Sequence, residues 1–162
     1  ICSIIEGSRP IFVEIQALTT PTPFGNPRRM AQGFDYNRLN LILAVLEKRS
    51  GLFFNNLDVY LNVVGGLKLY EPSADLAITA SLISAFKEKV IDSDICLFGE
   101  VGLSGEVRAV PNAASRVAEA ERMGFKKCIL PKSSLDKLTE KFDIKLIGVR
   151  DIKEALRALN DE

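Results

Sequence analysis

The possible chemistry of this chain gathers around Ser73. It follows a proline in Glu71-Pro72-Ser73-Ala74-Asp75, at the mouth of a long apolar stretch. Proline suits the first turn of a helix, and the free amides there are available to an anion. A serine in that position attacks a carbonyl only with a base beside it. The 162 residues include no histidine, so Ser-His-Asp and Cys-His machinery and most zinc sites are excluded. The remaining base is a lysine whose pKa has been lowered by burial. The structural alternative is that the hydroxyl satisfies one of the helix's own unpaired amides.

Arg116 lies on the helix that follows a glycine-punctuated stretch, Gly99-Glu100-Val101-Gly102-Leu103-Ser104-Gly105-Glu106-Val107. Its glycines at 99, 102 and 105 match neither the dinucleotide fingerprint nor a phosphate loop. They read as a tight turn between two strands that needs positive φ angles. Gly65-Gly66-Leu67-Lys68 likewise lacks the rest of a phosphate loop. Cys96 and Cys128 each sit in an apolar run and read as buried free thiols; with Cys2 they form an odd, widely spaced set that fits a reducing compartment.

Lysine plus arginine equal aspartate plus glutamate at 21 each, so bulk charge gives no pull toward nucleic acid or anionic lipid. Local clustering does. Between Pro27 and Arg49, five cations (Arg28, Arg29, Arg38, Lys48, Arg49) face two acids (Asp35, Glu47). Such a patch can neutralise phosphates, or it can be a solvated helix end and loop. With no tryptophan and three tyrosines, base stacking is not advertised.

The elements that must position these residues read as α/β. Residues 2–6 and 10–18 are β-type runs joined through Gly7-Ser8-Arg9 as a hairpin. Thr19 to Pro27, with three prolines and a glycine, reads as an ordered loop or flap. Asp35 caps a helix in which Leu39, Ile42, Leu43 and Leu46 recur at helical spacing, ended by Ser50-Gly51. Leu57 to Val64 is strand-like, and a helix runs from Pro72 to about Lys87. Strands at 95–98, 127–130 and 144–147 then alternate with helices at 111–123, 133–140 and 151–159, which predicts a partly parallel sheet. With 47% hydrophobic residues and no internal linker, residues 1–162 are expected to form one domain. The chain begins at Ile1, which suggests a piece of a longer protein. No run approaches ~18 apolar residues and no leader is visible, so a soluble cytoplasmic domain without membrane contact is expected.

Several of these runs resemble the C-terminal domain of the bacterial RadA (Sms) family of DNA repair proteins. They are Phe24-Gly25-Asn26-Pro27-Arg28-Arg29, Gly33-Phe34-Asp35-Tyr36-Asn37-Arg38-Leu39, Ala44-Val45-Leu46-Glu47-Lys48-Arg49, Asp58-Val59-Tyr60-Leu61-Asn62-Val63, Glu71-Pro72-Ser73-Ala74-Asp75-Leu76-Ala77 and the stretch from Gly99 to Arg108. That domain is similar to the proteolytic domain of Lon, whose fold is of the ribosomal-protein-S5 domain 2-like α/β class, a mixed sheet with flanking helices. Lon-type proteases carry the nucleophile in Gly-Pro-Ser-Ala-Gly and a catalytic lysine on the helix after a Gly-Glu turn. Here Glu71 and Asp75 replace the flanking glycines, and the lysine position falls on Arg116. A lysine can lose its proton on burial and a guanidinium effectively cannot. The resemblance therefore implies a degenerate Ser73/Arg116 dyad in a disabled protease fold, not an enzyme.

What the resemblance implies instead is a DNA-binding and ring-assembly domain of a homohexameric repair helicase acting with RecA in recombination and branch migration. The zinc finger and the RecA-like ATPase core of such proteins, with their zinc, ATP and magnesium, would lie outside this sequence, and no cofactor or metal is expected within it. Arg28, Arg29 and Arg38 are the expected phosphate contacts, with Arg9 and Arg108 on adjacent turns. Two other outcomes stay open: an active serine peptidase in which another lysine, such as Lys68, completes the dyad, and a ring scaffold whose arginines serve subunit salt bridges.

Overall fold

The computed structural model describes residues 2–6 and 9–160. It is a mixed α/β fold, as the alternating pattern predicts. The principal sheet has five strands in the order β10-β9-β6-β1-β2: β1 (Cys2–Glu6), β2 (Arg9–Val13), β6 (Ile95–Leu97), β9 (Lys127–Pro131) and β10 (Lys145–Val149). Strands β1 and β2 pair antiparallel with Glu6 opposite Arg9, which is the expected hairpin; Gly7-Ser8 lie outside the described residues. The β1–β6, β6–β9 and β9–β10 pairs are parallel.

The central strands are buried on both sides, which explains why they read as continuous apolar runs. Ile95, Leu97 and Ile129 belong to one core, and Cys96, Phe98, Cys128 and Leu130 belong to the other. The second core is closed by α3 (Ala113–Arg122) through Val117 and Ala120. Cys96 and Cys128 are buried free thiols, as expected, and sit opposite each other on β6 and β9. Their contact, together with burial, pushes the Cys96 thiol well up.

The first core is filled by α1 (Tyr36–Ser50), α2 (Asp75–Lys87) and α5 (Ile152–Asn160), and beyond them by a second sheet whose strands lie in the order β3 (Ile15–Pro21), β5 (Leu57–Val63), β4 (Arg29–Gln32). Asp35 starts α1 by accepting from the amides of Asn37 at 2.7 Å and Arg38 at 3.4 Å. Gly51, at φ +67°, ends it by donating to the Glu47 carbonyl at 3.2 Å. Helix α2 is buried nearly all round from Asp75 to Ile83, as a helix lodged between sheets must be.

Three expectations are corrected. The run 10–18 is not one strand: it breaks at Glu14, so β2 stays in the large sheet while β3 (Ile15–Pro21) joins the small one. The proline-rich loop starts later than expected, because Thr19, Thr20 and Pro21 still pair with Val59, Asp58 and Leu57 of β5 (Leu57–Val63). Pro21 is tolerated because β3 is an edge strand. Arg29–Gln32 forms an unforeseen edge strand, β4, parallel to β5. The helix expected at 133–140 is a single turn, α4 (Lys132–Leu135). The glycine-punctuated stretch is the expected turn between two strands, β7 (Glu100–Val101) and β8 (Val107–Arg108), which pair antiparallel. Among the described residues no helix is long and apolar enough to cross a membrane.

Candidate functional site

Ser73 sits in a short 3-10 turn, Pro72–Ala74, that leads directly into α2. Glu71 precedes the turn in an extended conformation and makes no side-chain cap. Its carboxylate accepts instead from the Ser73 hydroxyl, at 2.5 Å from Oε1. Ser73 is thus not the amide-satisfying residue of the structural alternative. The turn is stitched to the end of β6, since the Gly99 amide donates to the Ser73 carbonyl at 2.9 Å and the Leu76 amide donates to the Gly99 carbonyl at 3.0 Å.

Arg116 reaches the same point from α3. Its Nη1 donates to Ser73 Oγ at 3.3 Å, its Nη2 to Glu71 Oε1 at 3.3 Å, and its Nε to the Pro111 carbonyl at 3.1 Å. The guanidinium lies 5.6 Å from the centroid of the Phe98 ring, a cation–π arrangement. Arg116 and Ser73 are each 2% exposed. The two residues that the sequence paired are therefore in contact, closed into a ring by Glu71. A guanidinium has five donors and no lone pair, so Arg116 gives Ser73 a hydrogen bond and accepts no proton. Among the described residues no lysine reaches the hydroxyl, and Lys68 is exposed to solvent.

The second acid of the motif has its own partner. Asp75 is 1% exposed. It accepts from Arg38 Nε at 3.1 Å on Oδ1, and from Arg38 Nη2 and the Val101 amide on Oδ2. Arg38 also donates to the Val101 carbonyl at 3.2 Å. Burial pushes the Asp75 carboxyl up, and the hydrogen bond from Arg38 opposes that rise; the same bond raises the Arg38 guanidinium. Each glycine position of the Lon-type motif thus holds an acid gripped by an arginine, Glu71 by Arg116 and Asp75 by Arg38.

The expected phosphate contacts separate on this geometry. Arg28 is exposed, and its guanidinium has no partner among the described residues; only its amide is engaged, by Asp58 Oδ1 at 2.7 Å. Arg29 turns inward and donates to the carbonyls of Phe54 at 2.8 Å, Leu57 and Arg28, where burial lowers it. Arg38 holds Asp75. Arg9 is exposed at the start of β2, and Arg108 is exposed on β8 with Glu106 Oε2 at 3.4 Å. Sequence reasoning missed Glu71 as a partner of Ser73 and Arg38 as a partner of Asp75. The signal was available: a charge placed in a buried turn requires a counter-charge.

A fold of this kind, with a serine at the mouth of a buried helix and a basic side chain reaching it from the next, defines a class. Residues 43–159 match the Lon protease (S16) C-terminal proteolytic domain, and the chain belongs to that family. Beyond the class, the chain is similar to particular proteins over nearly all its length. It is 54% identical over 157 residues to the DNA repair protein RadA of Bacillus subtilis, covering 97% of this chain and 34% of that relative. Identity is 48% over 153 residues to the RadA proteins of Listeria monocytogenes and Streptococcus pneumoniae, covering 94% of this chain and 34% and 36% of the relatives. The chain therefore spans about a third of the length of these curated relatives.

Proposed function

We propose that residues 1–162 form a single Lon-like domain of a DNA repair protein, with the S5 domain 2-like arrangement, in which the protease site has become a structural joint. The observation that carries this reading is the closed ring Glu71–Ser73–Arg116. Its hydroxyl is hydrogen-bonded on both sides and buried, and the residue in the base position can only donate. On this reading the domain contacts DNA phosphates without sequence preference and helps assemble a homohexameric ring. The similarity to RadA proteins supports the DNA role, and the exposed guanidinium of Arg28, which has no partner among the described residues, supplies a contact point. Arg9 and Arg108 are secondary contacts, while Arg29 and Arg38 act mainly by holding the surface that presents them.

The longer protein would be a cytoplasmic, DNA-dependent ATPase working with RecA, with zinc, ATP and magnesium bound in its other domains. One experiment tests the domain's own part. The chain is exposed to a fluorophosphonate probe, then titrated with short DNA at two salt concentrations beside an Arg28→Glu variant, with assembled mass recorded for both. The expected result is no label on Ser73 and binding that weakens with salt and with the charge reversal. Labelling that disappears in Ser73→Ala would restore the peptidase reading. A well-assembled protein that binds no DNA would leave a ring scaffold.

A further inference from the structure

The loop between β3 and β4 presents an aromatic ring to solvent on a braced frame. These two strands flank β5 on either side, β3 antiparallel and β4 parallel, so residues 22–28 must cross over the start of β5. Asp58, near that start and 7% exposed, holds both ends of the crossing. Its Oδ1 accepts from the Thr22 hydroxyl at 3.1 Å and from the Arg28 amide at 2.7 Å, and the Thr22 amide donates to the Asn56 carbonyl at 2.9 Å. Pro23 and Pro27 fix two φ angles, and Gly25 takes the turn at φ +66°. At the tip Phe24 is 91% exposed, more than any other aromatic side chain described. The loop is tied at both ends, and the ring stands off the surface.

We propose that this loop is a single-strand contact: the Phe24 ring stacks on an unpaired base and Arg28 engages a neighbouring phosphate. The inference rests on the DNA-binding reading above and adds what the site takes. A phenyl ring has no hydrogen-bonding group, so it accepts the face of any base. In a duplex those faces are already stacked, which makes the loop selective for unpaired strands. Phe24 stands four positions before Arg28, whose exposed guanidinium has no partner among the described residues, so their Cα atoms lie at most about 14 Å apart. Base and phosphate of one or two nucleotides fit within that reach. Apart from Pro23, Gly25 and Pro27, the other loop residues, Thr22, Asn26 and Arg28, are polar, so the loop itself offers no second large apolar side chain of the kind that surrounds a protein hot spot. Because the loop is already ordered, little conformational entropy is lost on binding.

The test measures affinity of the chain for a thymidine oligonucleotide, an abasic strand of equal length and a duplex, using Phe24→Ala, Phe24→Trp and Arg28→Ala. Phe24→Ala is expected to lose about five- to a hundred-fold on the thymidine strand and to match the unaltered chain on the abasic strand and the duplex. Phe24→Trp is expected to keep or improve the thymidine affinity. Arg28→Ala is expected to weaken all three and to reduce the salt slope by about one. If Phe24→Ala binds thymidine as tightly as the unaltered chain, or loses equally on the abasic strand, stacking is refuted while the Arg28 result still judges the DNA reading. If the unaltered chain binds none of the three, both are overturned.

Discussion

Asp75 is a carboxyl in a place that disfavours its charge. Burial raises it, and the Arg38 guanidinium and the Val101 amide pull it part of the way back. A carboxyl raised by folding contributes most stability below its unfolded pKa and loses that contribution as pH rises through the folded value. Arg38 limits the loss by stabilising the ionised form. Without it the folded value rises further, and at neutral pH the fold must either bury an inadequately paired charge or take up a proton. Arg38→Ala is therefore expected to cost about 2–3 kcal/mol at pH 7, below the full range for a broken buried pair because Arg38 is itself partly exposed. The cost should shrink as pH falls through the carboxylate range and Asp75 becomes neutral. Urea midpoints of both proteins at pH 7 and at a pH within the carboxylate range check this; a gap of constant size would assign the loss to packing of the arginine stem instead.

Helix α1 and the parallel strands of the large sheet, β6, β9 and β10, were readable because their signals are local. Asp35, the 3-4 spacing of Leu39, Ile42, Leu43 and Leu46, and Gly51 lie within one element, and α1 follows them. Strand β4 carries no such signal: Arg29-Met30-Ala31-Gln32 is short and half polar, and it is a strand because β5, nearly thirty residues on, supplies its hydrogen bonds. The break at Glu14 has the same origin, since two sheets compete for one extended run. The site divides likewise. The meeting of Ser73 and Arg116 followed from the motif resemblance, but the inward turn of Arg29 beside the outward Arg28 depends on which carbonyls lie beneath the chain. Gly33 joins β4 to α1 under the 65–69 segment, at φ +85° and with its carbonyl accepting from the Leu69 amide at 2.7 Å. A Cβ there would stand 2.4 Å from the Leu67 carbonyl oxygen and 2.7 Å from Val63 Cβ. Gly33→Ala is expected to lose at least about 2 kcal/mol, while Gly25→Ala, also at positive φ but with nothing within 4 Å, is expected to lose about 1 kcal/mol. Equal losses in chemical denaturation would reduce Gly33 to its backbone angle alone.

At the scale of the molecule, α2 couples the two sheets. Its buried side chains join a core that takes in Val59, Leu61 and Val63 of the small sheet and Ile95, Leu97 and Ile129 of the large one. Its first turn is tied to Gly99 at the end of β6 and, through Ser73, to Arg116 on α3, across the large sheet. The Glu71–Ser73–Arg116 ring is thus also a bolt between layers, and neither sheet can open without disturbing α2. Leu82, fully buried on this helix, gives the means to test it. Leu82→Ala removes three heavy atoms from a packed core and is expected to cost about 2–5 kcal/mol. Two probes then report on different parts: labelling of Cys96 and Cys128, whose thiols lie on the far face of the large sheet, and far-ultraviolet circular dichroism for the whole. In a Cys2→Ser background both should give one unfolding free energy, and Leu82→Ala should lower both by the same amount. If the thiols kept their protection while the dichroism midpoint dropped, the large sheet would be standing alone, and the joint at Ser73 would be holding neighbours that do not depend on each other.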